Sequence, residues 1–565
     1  MREVRLSILL LEEPMKVKPI LSLFCCAAMA MQMMAAGQES SGGTTAAAAS
    51  SNPTPAISVK EIKELRQKIA AQQKQIELLQ KSVAEQQNML DTTVRAVEAG
   101  AANANVAAPG LSRANDSGPQ SLTVIPAAQG PSAEKVKTSP LSFKIGGADF
   151  TPFGFVDFTF FNRSTNVGSG IGTSFGGIPF NNSTAGRLSE SNFSAQNSRL
   201  GLRVDSTVKG AKVLGYFEAD FLGSAPTNVF VTSNSNTFRM RNLFVDVQKG
   251  KLELLGGQDW SLLTPNKKGV SPLPSDIFYT QNMDTNYQVG LIWSRQAQFR
   301  VAYHPNEHVH MAVSLENPQQ YVGSTGVAFP SALNTLLTPQ FNTGSNTYSV
   351  PNQHPDIIGK VAFDFSPGGL HQHFEIAGLQ RTFRYFNSLP GINKTFTANA
   401  GGGSVNGNFE VHKNVHLIAN TFFSDGGGRY IFGLGPDLMV RPNGNISPIH
   451  SYSTLDGFEA NLSKNLLLYS YYGGAYYGRD TSIDTGGKLV GYGFGGPGLS
   501  TNSNRSIQEY TIGLTPTFFK SEQHGALQLI TQYSYVWRNP WAIPEGGPKN
   551  AKTNMVYIDL RYTLP

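Results

Sequence analysis

From residue 141 onward the chain alternates apolar and polar residues in stretches of roughly ten, the length of a membrane-crossing β-strand. At 199–205, Leu200, Leu202 and Val204 alternate with Arg199, Arg203 and Asp205. At 216–221, Phe217, Ala219 and Phe221 alternate with Tyr216, Glu218 and Asp220. A period of two puts each set on one face of a strand. Two kinds of connection take turns along the chain. Short polar turns fall at Lys209-Gly210, Lys249-Gly250, 305–307, 367–369, Lys413-Asn414, Lys464-Asn465 and 522–525. Long loops fall at about 162–197, 223–236, 260–286, 317–355, 387–399, 424–454, 478–504 and 538–552. With 287–303 taken as one strand, seven turns and eight loops join sixteen strands, and both ends of the region lie on the short-turn side. That is the plan of an outer-membrane barrel. Eighteen strands is the alternative if a long loop hides a hairpin. A soluble β-sandwich also alternates but has no reason to segregate its loops by length. The last strand, 556–564, sets Val556, Ile558, Leu560, Tyr562 and Leu564 against Tyr557, Asp559, Arg561 and Thr563, an edge suited to closing on the first strand.

The N-terminal 140 residues follow other periods. Lys16 and Lys18 precede an apolar stretch at 20–34, and Ala35 and Ala36 offer a cleavage site, so 1–36 reads as an export signal with Met15 as the better start. Residues 37–56 are rich in Gly, Ser, Thr and Ala and predict disorder. Over 57–99, Ile62, Ile69, Ile76, Val83, Leu90 and Val97 recur every seven residues, with Leu65, Gln72, Leu79, Gln86 and Thr93 at the second seam position. That spacing predicts a left-handed coiled coil; a single amphipathic helix folded back on a domain is the other reading. Residues 100–140, rich in Ala, Pro and Ser, predict a linker to a barrel domain at 141–565.

Composition sharpens this picture. Charged residues make up only 15% of the 565, against 58 Gly, 34 Phe and 20 Tyr. A soluble chain usually carries about a quarter charged residues, and a barrel needs fewer because its outer band faces lipid. After the N-terminus no apolar run is long enough for a helical span, which leaves closed barrels as the way to satisfy a backbone in hydrocarbon. Tyr and Phe near strand ends, such as Phe158, Phe422, Tyr472 and Tyr533, suit aromatic girdles. Both cysteines, Cys25 and Cys26, fall in the signal, so no disulfide or thiol chemistry is expected of the mature chain. The net charge of +6 comes without a basic cluster interleaved with aromatics, so no nucleic acid is expected. The glycine runs at 401–403 and 491–498 do not continue into a phosphate loop and read as flexible strand ends and loops. His371 and His373 could hold a metal at a strand edge but read better as a solvated turn. No catalytic constellation stands out, so no cofactor, no metal and no enzyme activity are expected.

Strand parity nominates the wall of a pore. Arg199, Arg203, Glu218, Asp220 and Arg300 point inward, the last because Phe299, Val301 and Tyr303 take the lipid face. Arg239 and Arg241 share one face, which requires a bulge near Leu243, and Lys360 lies on another strand. Loop 260–286, with Trp260, Lys267 and Lys268 and stiffened by Pro265, Pro272 and Pro274, is the candidate for folding inward to narrow the lumen. Arginines on the wall would favour anions, unless they merely balance Asp205, Glu218, Asp220 and Asp259.

Four strings appear in order: Gln-Asn-Ser-Arg-Leu-Gly at 196–201, Gly-Gln-Asp-Trp-Ser at 257–261, Arg-Gln-Ala-Gln-Phe-Arg at 295–300 and Leu-Glu-Asn-Pro at 315–318. With the heptad segment, they make the chain resemble the DcaP-like porins and, more distantly, the phosphate-selective porins. The chain departs from such barrels in ending Leu564-Pro565 rather than in Phe or Trp. The resemblance implies a sixteen-stranded homotrimer in the outer membrane, with the coiled coil in the periplasm, passing small anionic solutes such as dicarboxylates. Two other readings remain: a structural protein tethering the outer membrane to the cell wall through its coil, and a secreted all-β adhesin or enzyme.

Overall fold

The computed structural model describes residues 139–223, 234–323, 326–342, 350–494, 503–543 and 545–565. The signal, the 37–56 segment, the coiled coil and nearly all of the linker lie outside these residues.

Sixteen antiparallel strands close into one barrel. In chain order they are β1 (Ala148–Arg163), β2 (Glu190–Ser194 continued by Arg199–Val208), β3 (Ala211–Asp220), β4 (Arg239–Lys249), β5 (Leu252–Trp260), β6 (Arg295–Tyr303), β7 (Val309–Glu316) and β8 (Asp356–Phe365). Then come β9 (Gln372–Asn387), β10 (Lys394–His412), β11 (Val415–Asp425), β12 (His450–Ser463), β13 (Leu466–Tyr477), β14 (Asn504–Ser521), β15 (Gly525–Pro540) and β16 (Ala551–Thr563). Every strand pairs with its sequence neighbours, and β16 closes on β1 from Phe155–Thr563 to Arg163–Met555. Closure leaves no open edge. The two halves of β2 pair with different stretches of β1 across a kink at 195–198. Phe143–Ile145 forms a short hairpin with the start of β1, and Ser139 Oγ donates to the Pro565 carbonyl, so both ends of the domain meet on the short-turn side.

The expected alternation of connections is present. Turns such as Lys209-Gly210, where both φ angles are positive as a tight hairpin demands, lie opposite the long loops. Among the described residues no helix is long and apolar enough to cross a membrane. Burial alternates as the pattern predicts. In β6, Gln296, Gln298, Arg300 and Ala302 are buried while Ala297, Phe299, Val301 and Tyr303 are exposed.

Some boundaries differ from the sequence reading. Residues 287–294 are not strand: the third loop runs from 261 to 294. Its backbone leaves the wall because Val289 and Gly290 donate their N–H groups inside the barrel, to Glu509 Oε2 and the Phe432 carbonyl. The fifth loop shrinks to 388–393, since β9 and β10 pair out to Asn387–Lys394. Residues 190–194, expected in a loop, belong to β2. The glycines at 401–403 are neither strand end nor loop; they sit inside the 19-residue β10.

Candidate functional site

The third loop folds into the barrel. A backbone removed from water must find partners for its polar groups, and here the inward side chains of distant strands supply them. The Leu262 N–H donates to Glu316 on β7 at 2.7 Å, and that of Asn266 to Glu375 on β9 at 3.2 Å. Gly269 N–H reaches Asp364 on β8 at 2.8 Å. Gln281 N–H donates to the Tyr471 hydroxyl on β13 at 3.0 Å, and Met283 N–H to Gln532 on β15 at 2.6 Å. Val289 N–H reaches Glu509 on β14 at 2.9 Å. The loop therefore crosses the lumen from one wall to the other. Among the described residues Glu316 and Glu509 form no ion pair; they accept loop amides instead.

The nominated wall residues come together on β2–β8, and most are paired. Arg199 meets Glu218 at 3.4 Å and Asp284 of the loop at 3.1 Å. Arg203 pairs with Asp205 at 2.6 Å, and Arg239 with Asp220 at 2.7 Å. Arg241 bridges Glu218 at 2.6 Å and Asp220 at 2.8 Å. The expected bulge is real. Glu218 pairs with Asn242 and Ala219 with Met240, leaving Arg241 without an opposite number, so Arg241 and Asn242 are both buried. Arg300 donates to the Trp260 carbonyl at 2.8 Å and lies 3.5 Å from Asp259. Lys360 is enclosed by Glu375 at 2.9 Å, the Thr264 carbonyl at 2.7 Å and Asn266 Oδ1 at 3.0 Å. It clamps the loop to the wall. Lys267 lies over the Tyr279 ring at 5.3 Å, whereas Lys268 is exposed.

His373 corrects an expectation. The turn at 367–369 is exposed, but the His373 side chain lies away from it, fully buried between Asp364 Oδ1 at 2.9 Å and Glu375 Oε2 at 3.2 Å. It buttresses the two carboxylates that hold loop residues 266 and 269.

Three residues lie outside the nominated set. Asp284 receives Arg199 and also Arg561 of β16 at 3.0 Å, tying opposite ends of the strand sequence through the loop. Burial opposes its charge, but the guanidiniums of Arg199, Arg561 and Arg241 outweigh this and hold its carboxyl well below the usual range. Only the parity of β16 pointed to Arg561; nothing local marked Asp284. Arg295 is the third. Its guanidinium lies 5.1 Å from the Trp260 ring, with Arg241 at 5.8 Å from the same ring. Trp260 is buried and packs against Trp293, ring centres 3.7 Å apart and planes tilted by 31°. Arg295 forms no ion pair among the described residues, and its Nη1 is buried without a hydrogen-bond partner. On the long-loop side, Trp293, Thr173, Tyr321, Arg429, Phe432 and Tyr492 line a cavity of about 440 Å³.

Against known proteins, no family model matches the sequence and no curated protein matches it. Solved structures do. The outer-membrane channel DcaP of Acinetobacter baumannii superposes with a TM-score of 0.52 at 20% identity, over 74% of this chain and 98% of that one. An anion-selective porin from Comamonas acidovorans gives 0.43 at 11% identity, over 74% and 100%. Salmonella typhi OmpF, in complex with daunomycin, gives 0.40 at 10% identity, over 75% and 100%. At such identities the likeness to the DcaP channel is one of fold.

Proposed function

We propose that this protein is an outer-membrane porin, a water-filled channel for passive diffusion of small polar solutes. One observation carries the reading: a closed sixteen-stranded barrel is apolar outside over β3–β8 and charged inside over β2–β8. A soluble barrel has no use for that inversion, and a tether needs no charged lumen. The shared fold with a protein described as an outer-membrane channel supports it. In this reading the signal at 1–36 is removed, the coil at 57–99 stands in the periplasm, where it is free to contact the cell wall, and the chain forms a homotrimer. Purified protein should give discrete conductance steps in a planar bilayer; silent membranes with correctly folded protein would sink the proposal.

An anion preference is the finer proposal. The arginines at 199, 203, 239, 241 and 300 are largely balanced by their carboxylate partners, so they shape the lumen more than they charge it. Among the described residues of β2–β8, Arg295 is an arginine without an ion pair, and it lies beside Arg241 over Trp260. Arginine suits carboxylate or phosphate oxygens through its planar fork. Across a salt gradient the wild type should favour chloride over potassium, and Arg295→Gln should lower the ratio more than Arg203→Gln. A cation-selective wild type would overturn this preference and leave the channel reading intact.

A further inference from the structure

The third loop does not enter the lumen alone. The sixth, residues 426–449 between β11 and β12, also turns inward, and Tyr430, Ile431, Leu438, Met439 and Val440 on it are buried. The two loops meet as a short antiparallel ladder inside the barrel. Gly290 N–H donates to the Phe432 carbonyl at 2.9 Å, Phe432 N–H to the Leu291 carbonyl at 2.8 Å and Trp293 N–H to the Tyr430 carbonyl at 3.0 Å. Ile292 stands opposite Ile431. The ribbon lies flat on the inner wall of β12 and β13. A Cβ on Gly290 would run into the carbonyls of Thr454 and Gly474, and one on Gly473 into that of Val289, so the close approach needs glycine at both positions. Trp293, Arg429, Ile431 and Phe432 of the same ribbon line the cavity on the long-loop side.

Buried charges hold the sixth loop in place. Asp437 accepts the backbone N–H of Arg429 at 3.0 Å and that of Tyr321, in the fourth loop, at 3.1 Å, and it lies 3.0 Å from the Arg381 guanidinium of β9. Arg429 pairs with Asp356 of β8 at 2.7 Å, and Arg381 reaches the same carboxylate at 3.3 Å. All four side chains are more than nine-tenths buried. Burying four charges is costly unless each is well paired, and a loop that only covered the mouth would have no need of them. Two arginines against two aspartates leave no net charge, so the quartet fixes a position rather than attracting a solute.

We infer that the sixth loop is the second half of the constriction: it joins the third loop in one ribbon, and the pair sets the size of solute that passes. The inference deepens the channel reading and rests on it for solute passage, whereas the ribbon does not. Most anchored amides of the third loop bond to the barrel wall, on β7, β8, β9, β13, β14 and β15. Those of Gly290 and Trp293 bond to the sixth loop instead. Without it they would be left inside the barrel with no acceptor, so detaching the sixth loop must also loosen the third.

The test uses the full chain carrying Cys25→Ser and Cys26→Ser. The hydrogen bonds that flank Ile292 and Ile431 mark them as a narrow pair, with Cα atoms ~4.5 Å apart, a separation that a disulfide spans. Ile292→Cys with Ile431→Cys should lose both free thiols on oxidation and conduct like wild type in a planar bilayer. Adding Asp437→Ala to the reduced pair should raise the mean conductance and speed the entry of larger solutes into liposomes. Oxidation of that protein should restore the wild-type values. Phe432→Pro removes one ladder N–H without touching the charges and should give the same rise; it carries the test if heat-modifiable migration shows that Asp437→Ala does not fold. A conducting protein whose cysteine pair keeps its thiols would overturn the ribbon. Unchanged conductance in the folded variants, or a rise that oxidation does not reverse, would overturn the constriction. A protein that forms the disulfide and conducts nothing would overturn the channel reading, and the constriction with it, while leaving the ribbon.

Discussion

The two sides of this barrel distribute charge differently. Strands β4–β8 are apolar outside and charged inside, with Arg241, Asp246, Glu253, Asp259, Arg300, Glu316 and Lys360 all buried in the wall. Strands β10–β13 are mixed outside, with Thr421, Thr454 and Asp456 among the exposed Val405, Leu417, Phe423, Tyr452 and Tyr472, and nearly uncharged inside, where Ser404, Asn406, Ile418, Asn420, Phe422, Leu455, Tyr469 and Tyr471 are buried. Backbone satisfaction is the same in both, because every strand is paired on both edges. The difference teaches that side-chain polarity in a barrel reports what each surface touches. The charged inner wall receives a folded-in loop that needs acceptors and clamps.

The largest effect should come from breaking the clamp on the charged side. Lys360→Met would leave Glu375 buried without its cation and free the carbonyl of Thr264. Removing one partner of a buried pair costs about 3–5 kcal/mol. The denaturant midpoint should fall accordingly, and the conductance should become noisy as the loop detaches. The matched change on the neutral side is Asn420→Leu. Asn420 Nδ2 is buried with no hydrogen-bond partner, so replacing it with an apolar side chain should be nearly neutral or stabilising. Equal losses at the two positions would erase the contrast between the walls.

Next in size is a charge on the lipid face. Val313→Arg, at an exposed position on β7, should cost about 2–4 kcal/mol near the bilayer midplane. Thr454→Arg, at an outward position on β12 whose hydroxyl donates to the exposed Asp456, should cost less, because the new guanidinium has a carboxylate within reach. Refolding into vesicles over a urea series would read both. A Thr454→Arg penalty as large as that of Val313→Arg would mean that Asp456 gives the new charge no relief.

The outer face was the more legible in the sequence, because period two is local: each apolar residue announces its neighbour two positions on. The strand count and inward arginines follow from that rule, even through the bulge at Arg241, which shows as a break in parity. The third loop was legible as an inward fold but not in its length. Residues 287–294 contain Tyr, Val, Leu, Ile and Trp, a composition that reads as strand, yet their apolar side chains pack against lumen residues such as Phe278 and Tyr469. The glycines at 401–403 misled for a related reason: in a barrel wall they lie against Phe423 and Ser424 of the next strand, which no single-segment pattern reveals. The partners of Asp284 lie 85 and 277 positions away, and separations of that size leave no local trace.

The smallest effect, and the sharpest for the loop, concerns pH. Asp284 is the point where the charged wall, the closing strand β16 and the loop meet. Its folded-state carboxyl is held below its ordinary value despite burial, chiefly by Arg199 and Arg561. For a carboxylate with a depressed value, the stabilisation is fully present above the unfolded value of about 4 and is lost only as pH falls through the lower folded value. The anchor should therefore be indifferent to acidification from pH 7 to pH 4.5. Asp284→Asn, by contrast, should weaken it at every pH, by about 1–3 kcal/mol for a buried charge-assisted contact, and raise the mean single-channel conductance at pH 7. Conductance measured over pH 7 to 4.5 in both proteins decides it. A step in the wild type within that window that is absent from Asp284→Asn would mean that Asp284 titrates there, and that the two guanidiniums do not hold it charged.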